Sequence, residues 1–261
     1  KKFLIFLIKI MNFYINLLYN SNMKKRLDLI LTERKFYKSR EKSKEAITSS
    51  RVFVNGILVT KPSMEFDENC EINALPFEFV SRGGFKLQKA IEEFKIDLKD
   101  KVVMDIGAST GGFTDVCLQN GAKKVYAIDT GTSQLVDTIK NNPKVVDLSK
   151  TNFLTLNAEF FQDIQFICID VSFVSLTKFT EKLATDFKNV EIVALIKPQF
   201  ECGLEYARKH KGIVKDEKMH KKVVENVKKS FINANFNILG LIESPIKGGN
   251  GNKEFLIYVK N

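Results

Sequence analysis

Four short apolar runs constrain this chain more than any other feature: "KVVMDI" (101–106), "KVYAID" (124–129), "QFICID" (165–170) and "EIVALI" (191–196). Each has the length of a β-strand. Each is close to continuously apolar, the pattern of a strand covered on both faces. The stretches between them are long enough for helices, and strands alternating with helices build a parallel, doubly wound sheet. Two further runs, "FNILGLI" (236–242) and "EFLIYV" (254–259), are joined by the glycine-rich "ESPIKGGNGNK". They predict an antiparallel pair that leaves the last strand running against the others.

Upstream of this pattern the charge changes. From Lys24 to Lys61 there are eleven basic residues against four acidic ones, in a chain with 41 Lys+Arg, 31 Asp+Glu and a net charge of +10. An excess of this kind points to a polyanionic partner or an anionic membrane surface, and charge alone does not choose between them. Leu27, Ile30 and Leu31 fall at helical spacing, and "SREKSKEAI" starts a second helix with Ser39 as its N-cap. "RVFVNGILV" then places two β-branched runs around Asn55-Gly56, a hairpin signal. Helix, basic helix and hairpin in this order resemble the small RNA-binding module of ribosomal-protein S-four type. Its phosphate contacts would come from Arg26, Arg34, Lys38, Arg40, Lys42, Lys44 and Arg51, with Arg82 beyond the module. "RLD" (26–28) lies inside the first helix of that module and is given no catalytic role.

The expected domains are an extension outside the fold (1–22), the RNA-binding domain (23–75), a linker containing Pro76 (76–80) and a larger domain (81–261). The first 22 residues combine Lys1 and Lys2 with an apolar run. Lys9, Asn12, Asn16 and Asn20 break it before a membrane span of about 20 apolar residues can form. Cys70, Cys117, Cys168 and Cys202 are far apart with no C-x-x-C pair, as in reduced cytoplasmic proteins. His210 and His220 alone do not make a zinc site, so no metal is expected.

"DIGASTGGFT" (105–114) follows the first strand of the larger domain and opens a helix. In a doubly wound sheet, ligands bind beyond the carboxyl ends of the strands. Gly107, Gly111 and Gly112 allow a tight turn, and Asp129 at the end of the next strand can accept hydrogen bonds from ribose hydroxyls. Ser109 stands where the dinucleotide fingerprint needs its second glycine, and there is no Walker lysine. Asp105, Gly107 and Gly111 instead resemble the first motif of methyltransferases that use S-adenosylmethionine. The cofactor set expected on this basis is Asp105, Gly107, Ala108, Ser109, Gly111, Gly112, Phe113 and Asp129.

Neither a D/N-P-P-Y/F stretch nor a Pro-Cys pair is present to mark an amino or ring-carbon acceptor. What stands at adjacent strand ends is Asp170, closing "FICID", and Lys197, closing "ALIKPQFE" before Pro198. A lysine at the end of a buried strand needs a partner, and Asp170 can be that partner. Lys86 in "SRGGFKL" begins a helix with Leu87, Ala90, Ile91 and Phe94 on its apolar face. Glu254 in "GNKEF" begins the last strand.

Taken in order, "SRGGFKL", "DIGASTGGFT", "DVSF", "KPQFE", "GIVKD" and "GNKEF" behind such a module closely resemble the TlyA family of ribosomal RNA methyltransferases, whose catalytic domain is of FtsJ (RrmJ) type. The resemblance covers residues 23–261. It implies a Rossmann-like methyltransferase sheet, mostly parallel with the last strand antiparallel, beside a small α+β RNA-binding domain. It implies S-adenosylmethionine as cofactor and cytidine 2′-hydroxyls of 16S and/or 23S rRNA as acceptors, in ribosomal subunits and in the cytoplasm. It also implies a Lys-Asp-Lys-Glu catalytic tetrad, which falls here on Lys86, Asp170, Lys197 and Glu254. The chain departs from the family in its N-terminal extension and in "ECG" after "KPQF". The rival readings are a non-catalytic RNA-binding protein and a membrane-active, haemolysin-like protein. Stable membrane association is not expected, and the sequence leaves the oligomeric state open.

Overall fold

The computed structural model describes residues 24–49, 51–74, 78–161, 163–248 and 251–261. The expected extension (1–22), Pro76 of the expected linker and residues 249–250 of the last loop lie outside them. The chain divides into two compact units between Glu78 and Phe79.

The first unit runs β1 (Lys24–Arg26), α1 (Leu27–Glu33), α2 (Arg40–Thr48), β2 (Val52–Val54), β3 (Ile57–Val59), β4 (Glu65–Asp67) and β5 (Ile72–Ala74). Ser39 caps α2 by accepting from the Lys42 amide at 3.3 Å. The hairpin forms around Asn55-Gly56, with Val54 facing Ile57, and β5 adds to its other side. Leu27, Leu31, Ala46, Ile47, Val52 and Val54 fill the core between helices and sheet.

The second unit runs α3 (Gly84–Phe94), β6 (Val102–Ile106), α4 (Gly112–Gln119), β7 (Lys124–Asp129), α5 (Asp137–Lys140), β8 (Val145–Ser149), β9 (Phe166–Ile169), α6 (Thr180–Asp186), β10 (Glu191–Ile196), α7 (Pro198–Glu201), α8 (Leu204–Lys209), α9 (Glu217–Asn233), β11 (Asn237–Glu243) and β12 (Phe255–Lys260). Its seven strands lie in the order β11-β12-β10-β9-β6-β7-β8. β12 is inserted antiparallel between β10 and β11, while β10, β9, β6, β7 and β8 pair in parallel.

Successive side chains of a strand point to opposite faces, and both faces here are covered. Ile167 and Ile169 of β9 join one core layer with Ile192, Ala194 and Ile196 of β10. Phe166, Cys168, Val193 and Leu195 join the other. Helix α9 closes the first layer with Val223, Val224, Val227 and Phe231, one stripe at helical spacing. Helix α3 closes the second with Leu87, Ala90 and Ile91. Strand order reverses between β6 and β9, so their carboxyl ends flank the crevice where such sheets bind ligands.

Candidate active site

Segments from several strand ends converge at that edge. Beyond β6, the loop turns at Gly107 with φ +88°, and a Cβ there would fall 2.5 Å from the Asp170 carbonyl oxygen. Only glycine lets the end of β6 approach the end of β9 this closely. The carboxylate of Asp129, closing β7, accepts the Gly131 amide at 2.7 Å and the Ser109 amide at 2.8 Å. Each of its oxygens keeps a lone pair for a further partner. Gly107, Ser109, Asp129, Asn152, Asp170 and Phe173 are among the walls of a cavity of about 460 Å³, within the range of small-molecule sites.

The other expected cofactor residues stand behind these walls. Asp105 is fully buried and accepts from Thr114 Oγ1 at 2.6 Å, tying β6 to α4. Burial raises its pKa to about 7, with the neighbouring Asp170 charge adding to the rise and the Thr114 bond opposing it. Ala108, Gly112 and Phe113 are buried. Gly111 packs against Ile139 and Leu135.

Four ionisable side chains form two pairs at this end of the sheet, and one of them, Asp170, lies in the cavity wall. Lys197, which leads into α7 with Pro198 at the first helical position, brings Nζ to 2.6 Å from Asp170 Oδ1. Asp170 Oδ1 is buried, with the Lys197 ammonium as its ionic partner. Lys197 Nζ donates to Ser172 Oγ at 2.9 Å. Lys86 Nζ donates to Glu254 Oε2 at 2.7 Å, with side chains only 10% and 2% exposed. Sheet register explains the convergence: Ile196 pairs with Phe255, so Lys197 and Glu254 extend facing ends of β10 and β12.

Glu254 is held by its loop. Asn252, itself buried, accepts from the Val214 amide at 2.8 Å and donates to the Gly212 carbonyl at 2.9 Å. The segment "GIVKD" thus anchors the strand that carries Glu254. A Cβ on Gly248 would run into Glu254 Oε1, so that position must be glycine for the carboxylate to sit where it does.

Sequence reading gave no role to two aromatic rings at the rim. Phe173 is 91% exposed, holds φ +65° without being glycine, and lies 5.1 Å from the Phe200 ring. A strained, exposed aromatic at a cavity mouth is a feature of functional sites. Its only sequence signal was the "DVSF" motif.

In the first unit two of the expected RNA-contacting residues, Arg26 and Arg40, are tied to the unit's own carboxylate while their side chains stay 38% and 41% exposed. Arg26 and Arg40 both bond Asp28, whose side chain is fully buried: Arg26 through Nε and Nη2, Arg40 through Nε, all at 3.0 Å. The "RLD" aspartate is therefore the internal counter-ion of the module. Arg51 is turned inward, its side chain 13% exposed and 4.0 Å from Glu78. Arg34 donates to the Cys70 carbonyl at 2.7 Å yet remains exposed, as does Lys38; Lys42 and Lys44 are half-exposed, and Arg82, which belongs to the second unit, is exposed.

A seven-stranded sheet of this order, with a glycine loop and a ribose-suited carboxylate at its switch point, defines a Rossmann-like methyltransferase domain. Family comparison agrees: residues 79–261 match the FtsJ-like methyltransferases and residues 25–72 the S4 domain. The chain belongs to the FtsJ-like methyltransferase family, carries an S4 domain, and is a methyltransferase. Bacillus subtilis YqxC, a proposed rRNA methyltransferase, is 42% identical, over 92% of this chain and 86% of its own. The 16S/23S rRNA (cytidine-2′-O)-methyltransferase TlyA of Mycobacterium tuberculosis is 32% identical, over 90% and 89%. A solved structure of a hemolysin-named protein from Streptococcus thermophilus is 39% identical and superposes with a TM-score of 0.69, covering 91% of this chain and 88% of that one. Among the described residues no helix is long and apolar enough to cross a membrane, and no cluster of three His, Cys, Asp or Glu could hold a metal ion.

Proposed function

We propose that this protein is an S-adenosylmethionine-dependent methyltransferase acting on cytidine 2′-hydroxyls of ribosomal RNA, in the cytoplasm. Two ion pairs support the reading: Lys197 with Asp170, which lines the cavity, and Lys86 with Glu254, which the register of β12 on β10 sets at the facing strand end. The rRNA (cytidine-2′-O)-methyltransferase activity of TlyA of Mycobacterium tuberculosis, which this chain matches over most of its length, supports it.

The cavity suits the cofactor. Asp129 offers acceptors to ribose hydroxyls, and the Asp170 carboxylate in the cavity wall adds negative charge suited to a cationic donor. Gly107, Ser109 and Asp129 would hold S-adenosylmethionine from one side, and Asn152 and Phe153 from the other. Bound there, it supplies an electrophilic methyl group.

The rest is the work of the chain's own side chains. A ribose hydroxyl is a weak nucleophile that must lose its proton as its oxygen attacks. Lys197 Nζ orients that oxygen and stabilises the negative charge it develops, or accepts its proton, while the oxygen–methyl bond forms and the methyl–sulfur bond breaks. Asp170 and Ser172 hold Nζ in place. Glu254 holds the Lys86 ammonium, which positions the ribose. The exposed cations of the S4 domain, Lys38 among them, bind backbone phosphates without reading sequence.

Mapping 2′-O-methylation on 16S and 23S rRNA, with and without the protein, tests the reading and identifies the nucleotide. Transfer of labelled methyl to a base, or to no RNA at all, would sink it. The hemolysin name of the Streptococcus thermophilus relative keeps lysis of cells as the alternative measurement.

A further inference from the structure

Glu201 ends the short helix that Lys197 begins. Its Oε2 accepts a hydrogen bond from Ser175 Oγ at 2.5 Å, and its Oε1 accepts one from the Leu176 amide at 2.7 Å. Both donors belong to the segment that follows Asp170. Between these anchor points Lys197 reaches Asp170 and Ser172, and Phe200 lies against Phe173. The ends of β9 and β10 are thus joined at successive points along two loops.

Residues 170–175 contain no buried side chain, and Phe173 sits among them in a left-handed backbone conformation. Val171 and Val174 pack against the core only in part, while Ser172 and Phe173 between them stand exposed. The first buried residue after Asp170 is Leu176, and it is the Leu176 amide that Glu201 takes. Hydrogen-bond polarity also requires an acceptor at this place. Ser175 Oγ already accepts the Thr177 amide at 3.2 Å and lies 2.7 Å from Thr177 Oγ1. A Thr177 hydroxyl donating to Ser175 leaves the Ser175 proton for Glu201. A carboxylate, which only accepts, satisfies both donors at once.

We propose that Glu201 is a positioning residue for methyl transfer: its carboxylate fastens the loop bearing Ser172 and Phe173 to the end of β10, which keeps Lys197 Nζ aligned with the acceptor. The proposal rests on the methyl-transfer reading of the same site. It assigns to the last residue of "KPQFE" a role in alignment and none in contact with substrate.

The test is steady-state methylation, by the full chain at saturating S-adenosylmethionine, of ribosomal subunits that lack the modification. Loss of alignment falls on turnover, not on binding. Glu201→Ala is expected to lower kcat about tenfold, with KM for the subunit and the cofactor dissociation constant within about twofold of wild type. Ser175→Ala is expected to cost about threefold. The double variant should be no slower than Glu201→Ala alone, because both substitutions remove one shared contact. Wild-type kcat in the folded variants, strictly multiplicative losses, or a loss confined to cofactor affinity would each overturn the proposal. Should Glu201→Ala not fold, Glu201→Gln and Ser175→Ala are judged on the same split between kcat and KM. A wild-type protein that methylates no ribosomal RNA refutes the function reading, and this proposal with it. Active wild type with unaltered variants refutes the role of Glu201 alone.

Discussion

Lys86 and Glu254, 168 residues apart in the chain, meet at 2.7 Å with the carboxylate side chain 2% exposed. A charge pair this deeply buried is held by everything around it: helix α3 on one side, and the Asn252-anchored start of β12 on the other. Removing one partner leaves the other charged and out of water. Lys86→Met should therefore destabilise the second unit by about 3–5 kcal/mol in urea unfolding. The double variant Lys86→Met/Glu254→Leu should recover most of that loss while remaining inactive. A stable but inactive double variant separates the pair's part in chemistry from its part in folding.

Lys197→Ala is expected to lower single-turnover methylation of ribosomal subunits about 100- to 1000-fold, the cost of losing one group that stabilises an oxyanion. Cofactor affinity, measured by calorimetry, should be retained, because the residues walling the cavity do not include Lys197. Near-normal single-turnover transfer would remove Lys197 from the chemistry.

Asp105 links stability to pH. Its folded pKa, about 7, lies above its unfolded value because burial disfavours the charge. Between the two values the folded state holds a proton that the unfolded state has lost, so stability from this group falls as pH rises towards 7. Thermal unfolding between pH 5 and pH 8 should show this decline, and the slope should be shallower in Asp105→Asn. Parallel slopes in the two proteins would show that Asp105 does not carry the effect.

In the S4 domain, charge supporting the fold and charge facing RNA should separate by experiment. Burial works against ionised Asp28, but the bonds from Arg26 and Arg40 outweigh it and hold its carboxyl below the usual range. Its stabilisation is present at neutral pH and is lost as pH falls through that lowered value. Asp28→Ala should cost about 1.5–3 kcal/mol at neutral pH, the worth of hydrogen bonds to charged groups. Lys38→Ala should leave stability unchanged and reduce the salt dependence of rRNA binding by a slope of about 0.9. A stable Asp28→Ala protein with weakened RNA binding would reverse these roles.

Much of the architecture was legible because burial on both faces imposes a one-dimensional signal. β6, β7, β9 and β10 are apolar runs because each is covered by helices above and below. β8 was missed: "VVDLS" sits at the sheet edge with every residue half-buried, so it carries no such run. β1, β4 and β5 have three residues each, too few for a period to show.

The site divides in the same way. Motif order was enough to select Lys86, Asp170, Lys197 and Glu254, and strand ends placed two of them together. Which group bonds to which was settled by the sheet. The register of β10 against β12 sets Lys197 opposite Glu254, and the approach of β6 to β9 buries Asp105 while leaving Asp129 in the cavity wall. The sequence by itself determined the layers, the order of the elements and the charged residues available at their ends, because hydrophobic periodicity and motif spacing are local properties. Packing in three dimensions was needed for the Lys86–Glu254 pair, the hold of Arg26 and Arg40 on Asp28, the inward turn of Arg51, and the clasp of Glu201 on Ser175 and Leu176. Those depend on distances between segments far apart in the chain, which packing alone sets.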